Sequence, residues 1–308
     1  MVIYDSCSLD TLIEAYKQHQ RRVKGLRDET LRGYERLLRL FLRASLGEGP
    51  VDPKDLRPSD VTGFVSSMGS RLSTLSMKVV RTALRSFLSF LRTDGLCDQR
   101  LEAAIPPGAH WRLSTLPRCL SDEQLKQVFA ALRLQRTPCA YRDRAMVWCL
   151  STLGLRPGEV AALHLDDIDW RQGTICLRTR KTGRGAVLPL PRQAGRAIVD
   201  YLRQERPRTD ERRVFVHYRG PRTGAPISRG VVTGAVVRAL RRAGIDSPIA
   251  GAYVFRHTLA SRMVRRGASL KEVADVLGHR SLDTTTIYAK LDLTSLGEVA
   301  LPWPEVHP

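Results

Sequence analysis

Long hydrophobic runs are missing from this chain of 308 residues: no stretch of about 18 apolar residues occurs, so no segment is expected to span a bilayer. The opening residues, MVIYDSCSLDTLIEAYKQHQ, lack the basic-then-apolar order of a secretory leader. Cysteine is scarce: the six present, Cys7, Cys97, Cys119, Cys139, Cys149 and Cys176, are scattered and form no CxxC pair. That spacing argues against a disulfide framework and against a thiolate zinc site, and it fits reduced thiols in a cytoplasmic protein. Internal repeats and low-complexity tracts are also absent. With 43% apolar and 26% charged residues, the chain is able to bury a sizeable core and is not a disordered segment.

Charge of one sign is what the sequence has in excess. Fifty basic residues face 31 acidic ones, a formal net charge of +19. Only eight of the fifty are lysines, so forty-two are arginines, whose planar fork matches phosphate oxygens two at a time. A charge of this size exceeds what solubility requires and points to nucleic acid as the partner. It is also uneven. Residues 1–110 carry 17 bases against 13 acids, whereas residues 111–308 carry 33 against 18.

At about 100–200 residues per domain the length predicts two domains. Residues 8–105 carry only helical periodicity. A helix opens at Ser8 or Asp10. A second, over residues 28–46, places Leu31, Tyr34, Leu38, Phe41 and Leu42 on one face and Arg32, Arg36, Arg39 and Arg43 on the other. A third follows Ser59 or Asp60, and a fourth covers about residues 73–93. Residues 106–118, with three prolines, a glycine and no apolar period, read as a linker. Ser121 and Gln124 then form a capping-box signature, and helices are expected at about 138–152 and 157–164. The stretch IDWRQGTICLRTRKTGRGAVLPL reads as short strands joined by turns. Further helices are expected at 191–205, 229–243, 252–266, 269–277 and 282–289. The expected fold is mainly α with a small antiparallel sheet.

Four pieces of the second segment carry chemistry. In Gly154-Leu-Arg-Pro-Gly-Glu-Val160, Arg156 stands at a helix entrance with Pro157 in the first turn and Glu159 placed to orient it; helix N-termini favour anions. In Arg180-Lys-Thr-Gly-Arg184, Lys181 sits on a turn between strands, either solvated or free to enter a DNA groove. In Tyr253-Val-Phe-Arg-His-Thr, Tyr253 and Arg256 share a helix side, while His257, roughly 100° further round, packs or caps. In Leu277-Gly-His-Arg-Ser-Leu-Asp-Thr-Thr-Thr-Ile-Tyr288, Gly278 ends one helix and Ser281 or Asp283 caps the next. Tyr288 lies near that helix's end, where an isolated tyrosine is usually core.

Together, GLRPGEVAALHLDDID, RTRKTGRGAVLPL and YVFRHTLASRMVRRGASLKEVADVLGHRSLDTTTIYA resemble the tyrosine recombinase, or phage integrase, family in order and spacing across about 170 residues. The helical N-terminal segment resembles that family's core-binding domain in type and position. The resemblance implies a DNA-binding core-binding domain at 1–105, a linker at 106–118, a catalytic domain at 119–290, and a tail at 291–308 that docks on its own domain or on a neighbouring protomer. It implies a C-shaped clamp on double-stranded DNA and a homotetramer on two recombination sites, with a dimer per site. It further implies strand exchange through a 3′-phosphotyrosine, in integration, excision, resolution or transposition, with no metal, ATP or other cofactor.

In the roles the resemblance carries over, Tyr288 is the nucleophile, and Arg156 and Arg256 clamp the non-bridging oxygens. Lys181 is the general acid that protonates the leaving 5′-oxygen, His279 hydrogen-bonds the phosphate, and Glu159 supports Arg156. One position departs from the pattern: Tyr253 stands where the family has a histidine. A phenol still donates a hydrogen bond, but its pKa of about 10 makes it a poor proton shuttle near neutrality.

Three rival readings remain at this stage. Asp166, Asp167 and Asp169 suggest magnesium ligands of a metal-dependent transposase or nuclease, or else caps of a helix-to-strand turn. A non-enzymatic DNA-binding protein explains the charge but gives the arginine, lysine and tyrosine set no purpose. A type IB topoisomerase shares the chemistry, and the small size and the LGHRS segment favour a recombinase.

Overall fold

The computed structural model describes residues 8–97, 99–108, 117–133, 137–177, 185–245, 251–279 and 281–291. It divides into two compact units, Met1–Arg112 and Leu113–Pro308. No helix among the described residues is long and apolar enough to cross a membrane.

The first unit is built from four helices: α1 (Leu9–Lys24), α2 (Asp28–Leu46), α3 (Pro58–Gly69) and α4 (Thr74–Thr93). Side-chain caps set two of the starts. Ser8 accepts from the Thr11 amide, and Ser73 accepts from the Ser76 amide, each satisfying an amide that the helix itself leaves unpaired. Gly25, at φ 57°, ends α1 in the left-handed conformation. Leu31, Leu38, Phe41 and Leu42 of α2 are buried, which is the apolar stripe the periodicity predicts. Tyr16 is fully buried, meets Phe87 edge-on at 5.4 Å and donates a 3.0 Å hydrogen bond to Ser86, so its polar tip is satisfied inside the core.

The second unit starts with α5 (Asp122–Arg133) and α6 (Ala140–Leu153). The capping box at α5 is reciprocal: the Ser121 amide donates to Gln124 Oε1 at 3.0 Å, and the Gln124 amide donates to Ser121 Oγ at 3.1 Å. Next come α7 (Pro157–Ala161) and three antiparallel strands in sequential order, β1 (Ile168–Asp169), β2 (Thr174–Leu177) and β3 (Ala186–Pro189). Ile175 pairs with Ile168 on one side and Leu188 on the other, and Ile175 and Leu177 point inward while Cys176 is exposed. Beyond the sheet lie α8 (Arg192–Gln204), α9 (Arg229–Arg242), α10 (Tyr253–Arg265) and α11 (Leu270–Leu277). The main core, which includes Met146, Leu150, Tyr201, Phe215, Val236 and Phe255, is flanked by a smaller cluster of Ala260, Val264, Val273, Leu277 and Tyr288.

Two elements differ from expectation. The helix expected over 157–164 stops at Ala161, because the chain turns extended to pair with residues 212–214. There the Val214 amide donates to the Leu163 carbonyl at 2.8 Å, and the Leu165 amide donates to the Arg212 carbonyl at 2.9 Å. The helix expected over 282–289 is instead two 3₁₀ turns, Leu282–Thr284 and Thr286–Leu291. Three consecutive threonines disfavour an α-helix here. Thr285 is fully buried with its hydroxyl 2.7 Å from His279 Nδ1, and the Tyr288 amide donates to the Thr285 carbonyl three residues back.

Candidate active site

The site lies where the C-terminal ends of α6 and α11 meet α10. Gly154 and Gly278 close those two helices in the left-handed conformation, at φ 62° and 61°, and this leaves carbonyls facing outward from the last turns. Arg256, in the first turn of α10 and 4% exposed, donates from Nη1 to the Gly154 carbonyl at 2.7 Å and from Nη2 to the Leu277 carbonyl at 2.6 Å. A single guanidinium thus ties two helix ends together across 102 and 21 residues of sequence. The negative ends of the helix dipoles offset part of the cost of burying its charge.

Arg156 is the residue before α7. Its amide donates to Glu159 Oε2 at 2.8 Å, its Nη1 to Glu159 Oε1 at 2.7 Å and its Nη2 to the Gly278 carbonyl at 3.3 Å. Glu159 therefore holds both the backbone and the side chain of Arg156, the orienting contact that the spacing suggests. The two guanidiniums are close enough to interact. Burial first, and the Arg156 charge second, lower the Arg256 pKa to about 10. It remains charged at neutral pH, and two neighbouring cations are an arrangement that favours an anion beside them.

Tyr288 is 1% exposed, and burial pushes its phenol up to about 12 against the downward pull of Arg256. Its hydroxyl lies 2.7 Å from His257 Nδ1. His257 belongs to α10, and burial, with the neighbouring Arg256 charge, lowers its pKa below the ordinary 6.5, so the imidazole is neutral at pH 7. Sequence spacing places His257 away from Arg256 and suggests that it packs or caps. What it packs against, the Tyr288 hydroxyl 31 residues on, is a long-range contact that no local periodicity reports.

His279 follows Gly278 and is fixed by the Thr285 hydroxyl. Tyr253 is the first residue of α10 and is 50% exposed; it does not belong to the core, and its negative form would raise the Arg256 pKa. Lys181 and the rest of its turn lie outside the described residues, as does the tail beyond residue 291. The structure therefore ties Arg156 to Glu159, sets Arg256 near enough to feel the charges of Arg156 and Tyr288, and joins Tyr288 to His257 and His279 to Thr285.

The three aspartates are engaged separately. Asp167 Oδ2 accepts from the His164 amide at 2.9 Å, Asp169 Oδ1 accepts from the Arg171 and Gln172 amides at 2.9 Å each, and Asp166 pairs with Arg212. They serve turns and a surface ion pair, and no cluster with metal-ligand character exists among the described residues.

Residues 118–294 match the Phage integrase family, and residues 13–95 match its N-terminal SAM-like domain. A Sinorhizobium fredii chain named as an integrase/recombinase is 44% identical over 98% of this chain and 73% of its own length. The tyrosine recombinase XerC of Thermodesulfovibrio yellowstonii is 30% identical over 96% of both chains. In fold, the chain is similar to XerH recombinase bound to palindromic difH substrate in a post-cleavage complex, with a TM-score of 0.72 and 21% identity over 97% of this chain and 86% of that one. It is also similar to a lambda integrase dimer bound to a COC′ core site, with a TM-score of 0.66 and 18% identity over 98% and 99%. With the catalytic pattern matched over more than half of its length, the chain belongs to the phage integrase family of site-specific tyrosine recombinases.

Proposed function

We propose that this recombinase cuts and rejoins duplex DNA with the Tyr288 phenol as nucleophile. The phenolic oxygen attacks a phosphodiester, forming a 3′-phosphotyrosine as the bond to the 5′-oxygen breaks. Arg156 and Arg256 hold the non-bridging oxygens where negative charge builds in the transition state. His279 and Tyr253 add hydrogen bonds to the phosphate, and Lys181 delivers the proton to the leaving 5′-oxygen. The phosphotyrosine conserves the bond energy, so a second 5′-hydroxyl reverses the step without ATP. The two guanidiniums and the lysine supply the positive charge that a metal supplies in other phosphoryl-transfer sites. On this reading residues 1–105 hold DNA, residues 119–290 cut it, the tail from 291 docks on its own domain or on a neighbouring protomer, and a tetramer spans two sites in the cytoplasm.

The observation that carries the reading is the pairing of two arginines at one point, Arg256 tied to two helix ends and Arg156 to Glu159 and Gly278, beside a buried tyrosine. Each arginine also fastens a helix end, but two like charges repel, and a bound anion would offset that repulsion. A nicked suicide substrate and a denaturing gel test it. The unaltered chain should yield a covalent protein–DNA adduct in the presence of EDTA, and Tyr288→Phe should bind DNA and yield none. No adduct from the unaltered chain would favour a non-enzymatic DNA-binding protein, and EDTA-sensitive cleavage would favour a metal-dependent nuclease.

A further inference from the structure

The Tyr288 phenol must lose its proton to become a nucleophile, and the family position where a histidine could take it holds Tyr253 instead. We propose that His257 is the general base of this site, its Nδ1 accepting the phenolic proton of Tyr288 across the 2.7 Å bond that joins them. The inference rests on Tyr288 being the nucleophile.

Geometry supports the assignment. A buried O–H is seldom left without an acceptor, and His257 is the partner of the Tyr288 hydroxyl among the described residues. The phenol then donates and Nδ1 accepts, which places the imidazole's own proton on Nε2. The rings sit 5.8 Å apart at 51°, and Tyr288 packs in the cluster of Ala260, Val264, Val273 and Leu277, so the contact is held by the core rather than by a surface loop. The separation falls within the range a working base requires.

Electrostatics point the same way. A phenol pushed up to about 12 ionises by itself in only about one molecule in 10⁵ at pH 7. The imidazole beside it is neutral there and has its lone pair available. The titratable or charged groups bearing on the pair are Arg256 on the same helix and Cys119 in the segment before α5. His279 lies beyond Thr285. The Arg256 charge favours the phenolate, which eases ionisation of the phenol, and disfavours the imidazolium, which keeps the imidazole unprotonated and ready to accept.

The step balances. The phenolic O–H bond breaks and its proton moves to Nδ1, the phenolic O–P bond forms, the P–O5′ bond breaks, and Lys181 gives its proton to the leaving oxygen. Religation runs the same transfers backwards, with the imidazolium protonating the departing phenol.

The test is the pH dependence of single-turnover adduct formation on a suicide substrate. In the unaltered chain the rate should be level from pH 7 to 9 and fall about tenfold per pH unit below the imidazole's pKa. His257→Asn keeps an acceptor near the Nδ1 position but cannot take a proton. It should be about 10²–10⁴-fold slower at pH 7, the range for a positioned base, lose the acid limb, and climb steadily toward pH 9 as the phenol ionises unaided.

A His257→Asn rate within threefold of the parent would overturn the proposal, as would a slow rate that stays flat with pH, which marks a packing role. If the variant fails to fold, the unaltered chain still decides: a rate that shows no acid limb down to the pH at which the chain unfolds excludes an imidazole base. Adduct formation by Tyr288→Phe would sink the nucleophile assignment itself, a result distinguishable from every outcome above.

Discussion

Replacing Arg256 with lysine tests what the guanidinium does for the fold. The charge survives, but the fork does not. Arg256 now bonds the Gly154 and Leu277 carbonyls at 2.7 and 2.6 Å, and one ammonium at the end of a straight stem reaches only one of them in good geometry. Hydrogen bonds to charged groups contribute about 1.5–3 kcal/mol each. Leaving one buried carbonyl without its donor should therefore destabilise the C-terminal unit by about 2 kcal/mol. For a unit of this size 1 kcal/mol moves the melting temperature by roughly 2–4 °C, so Arg256→Lys should melt roughly 4–8 °C below the parent in the absence of DNA. Arg256→Met supplies the control. It removes both bonds but also a buried cation that Arg156 repels, so its loss should be smaller than two lost bonds imply. Differential scanning calorimetry of the three proteins measures the order. A lysine variant melting within 1 °C of the parent would refute the argument that Arg256 fastens α6 to α11.

The remaining expectations address other parts of the site. Gly154→Ala should destabilise by about 1–3 kcal/mol, because a Cβ there would sit 2.7 Å from Leu277 Cδ2 and 2.9 Å from Leu259 Cδ2 at φ +62°; a thermal melt checks this. Tyr253→Phe should leave the melting temperature unchanged, since the ring is 50% exposed, yet slow single-turnover cleavage by roughly 10–10³-fold, the scale of one lost oxyanion-type contact. Tyr253→His should retain activity, because imidazole can make the same bond. Lys181→Ala should slow cleavage by about 10²–10⁴-fold, and a substrate with a 5′-bridging sulfur should restore most of the rate, because a thiolate departs without a proton.

Much of the fold is readable from local rules, because capping, periodicity and turns act over a few residues. Ser8, Ser73 and the Ser121–Gln124 box start helices where side-chain oxygens meet unpaired amides, and the RQG turn separates two strands whose alternation is visible in Ile175, Cys176 and Leu177. What escapes local rules is decided by distant partners. Helix α7 ends early because residues 163–165 pair with 212–214, and the segment bearing Tyr288 tightens to 3₁₀ around the buried Thr285. Motifs single out Arg156, Arg256 and Tyr288, yet nothing in their spacing reveals that two helix-ending glycines bring the acceptors for the arginines, or that His257 ends on the phenol.

Those two glycines explain why the arginines tolerate burial beside each other. A guanidinium removed from water needs acceptors, and a second cation nearby raises the cost. The C-terminal ends of α6 and α11 answer both needs, since each ends in carbonyls with no intrahelical donor and carries the negative pole of its dipole. Arg256 takes one carbonyl from each helix and Arg156 takes the next one, from Gly278. Two of the five N–H groups of Arg256 are engaged in this way, so the fork is fixed in direction without being exhausted. On the proposed reading, a phosphate bound there meets donors that need no reorganisation, and its charge offsets the repulsion between the two guanidiniums. Burial raises the Tyr288 phenol to about 12, so the fold that gathers two cations also keeps the tyrosine beside them protonated at neutral pH.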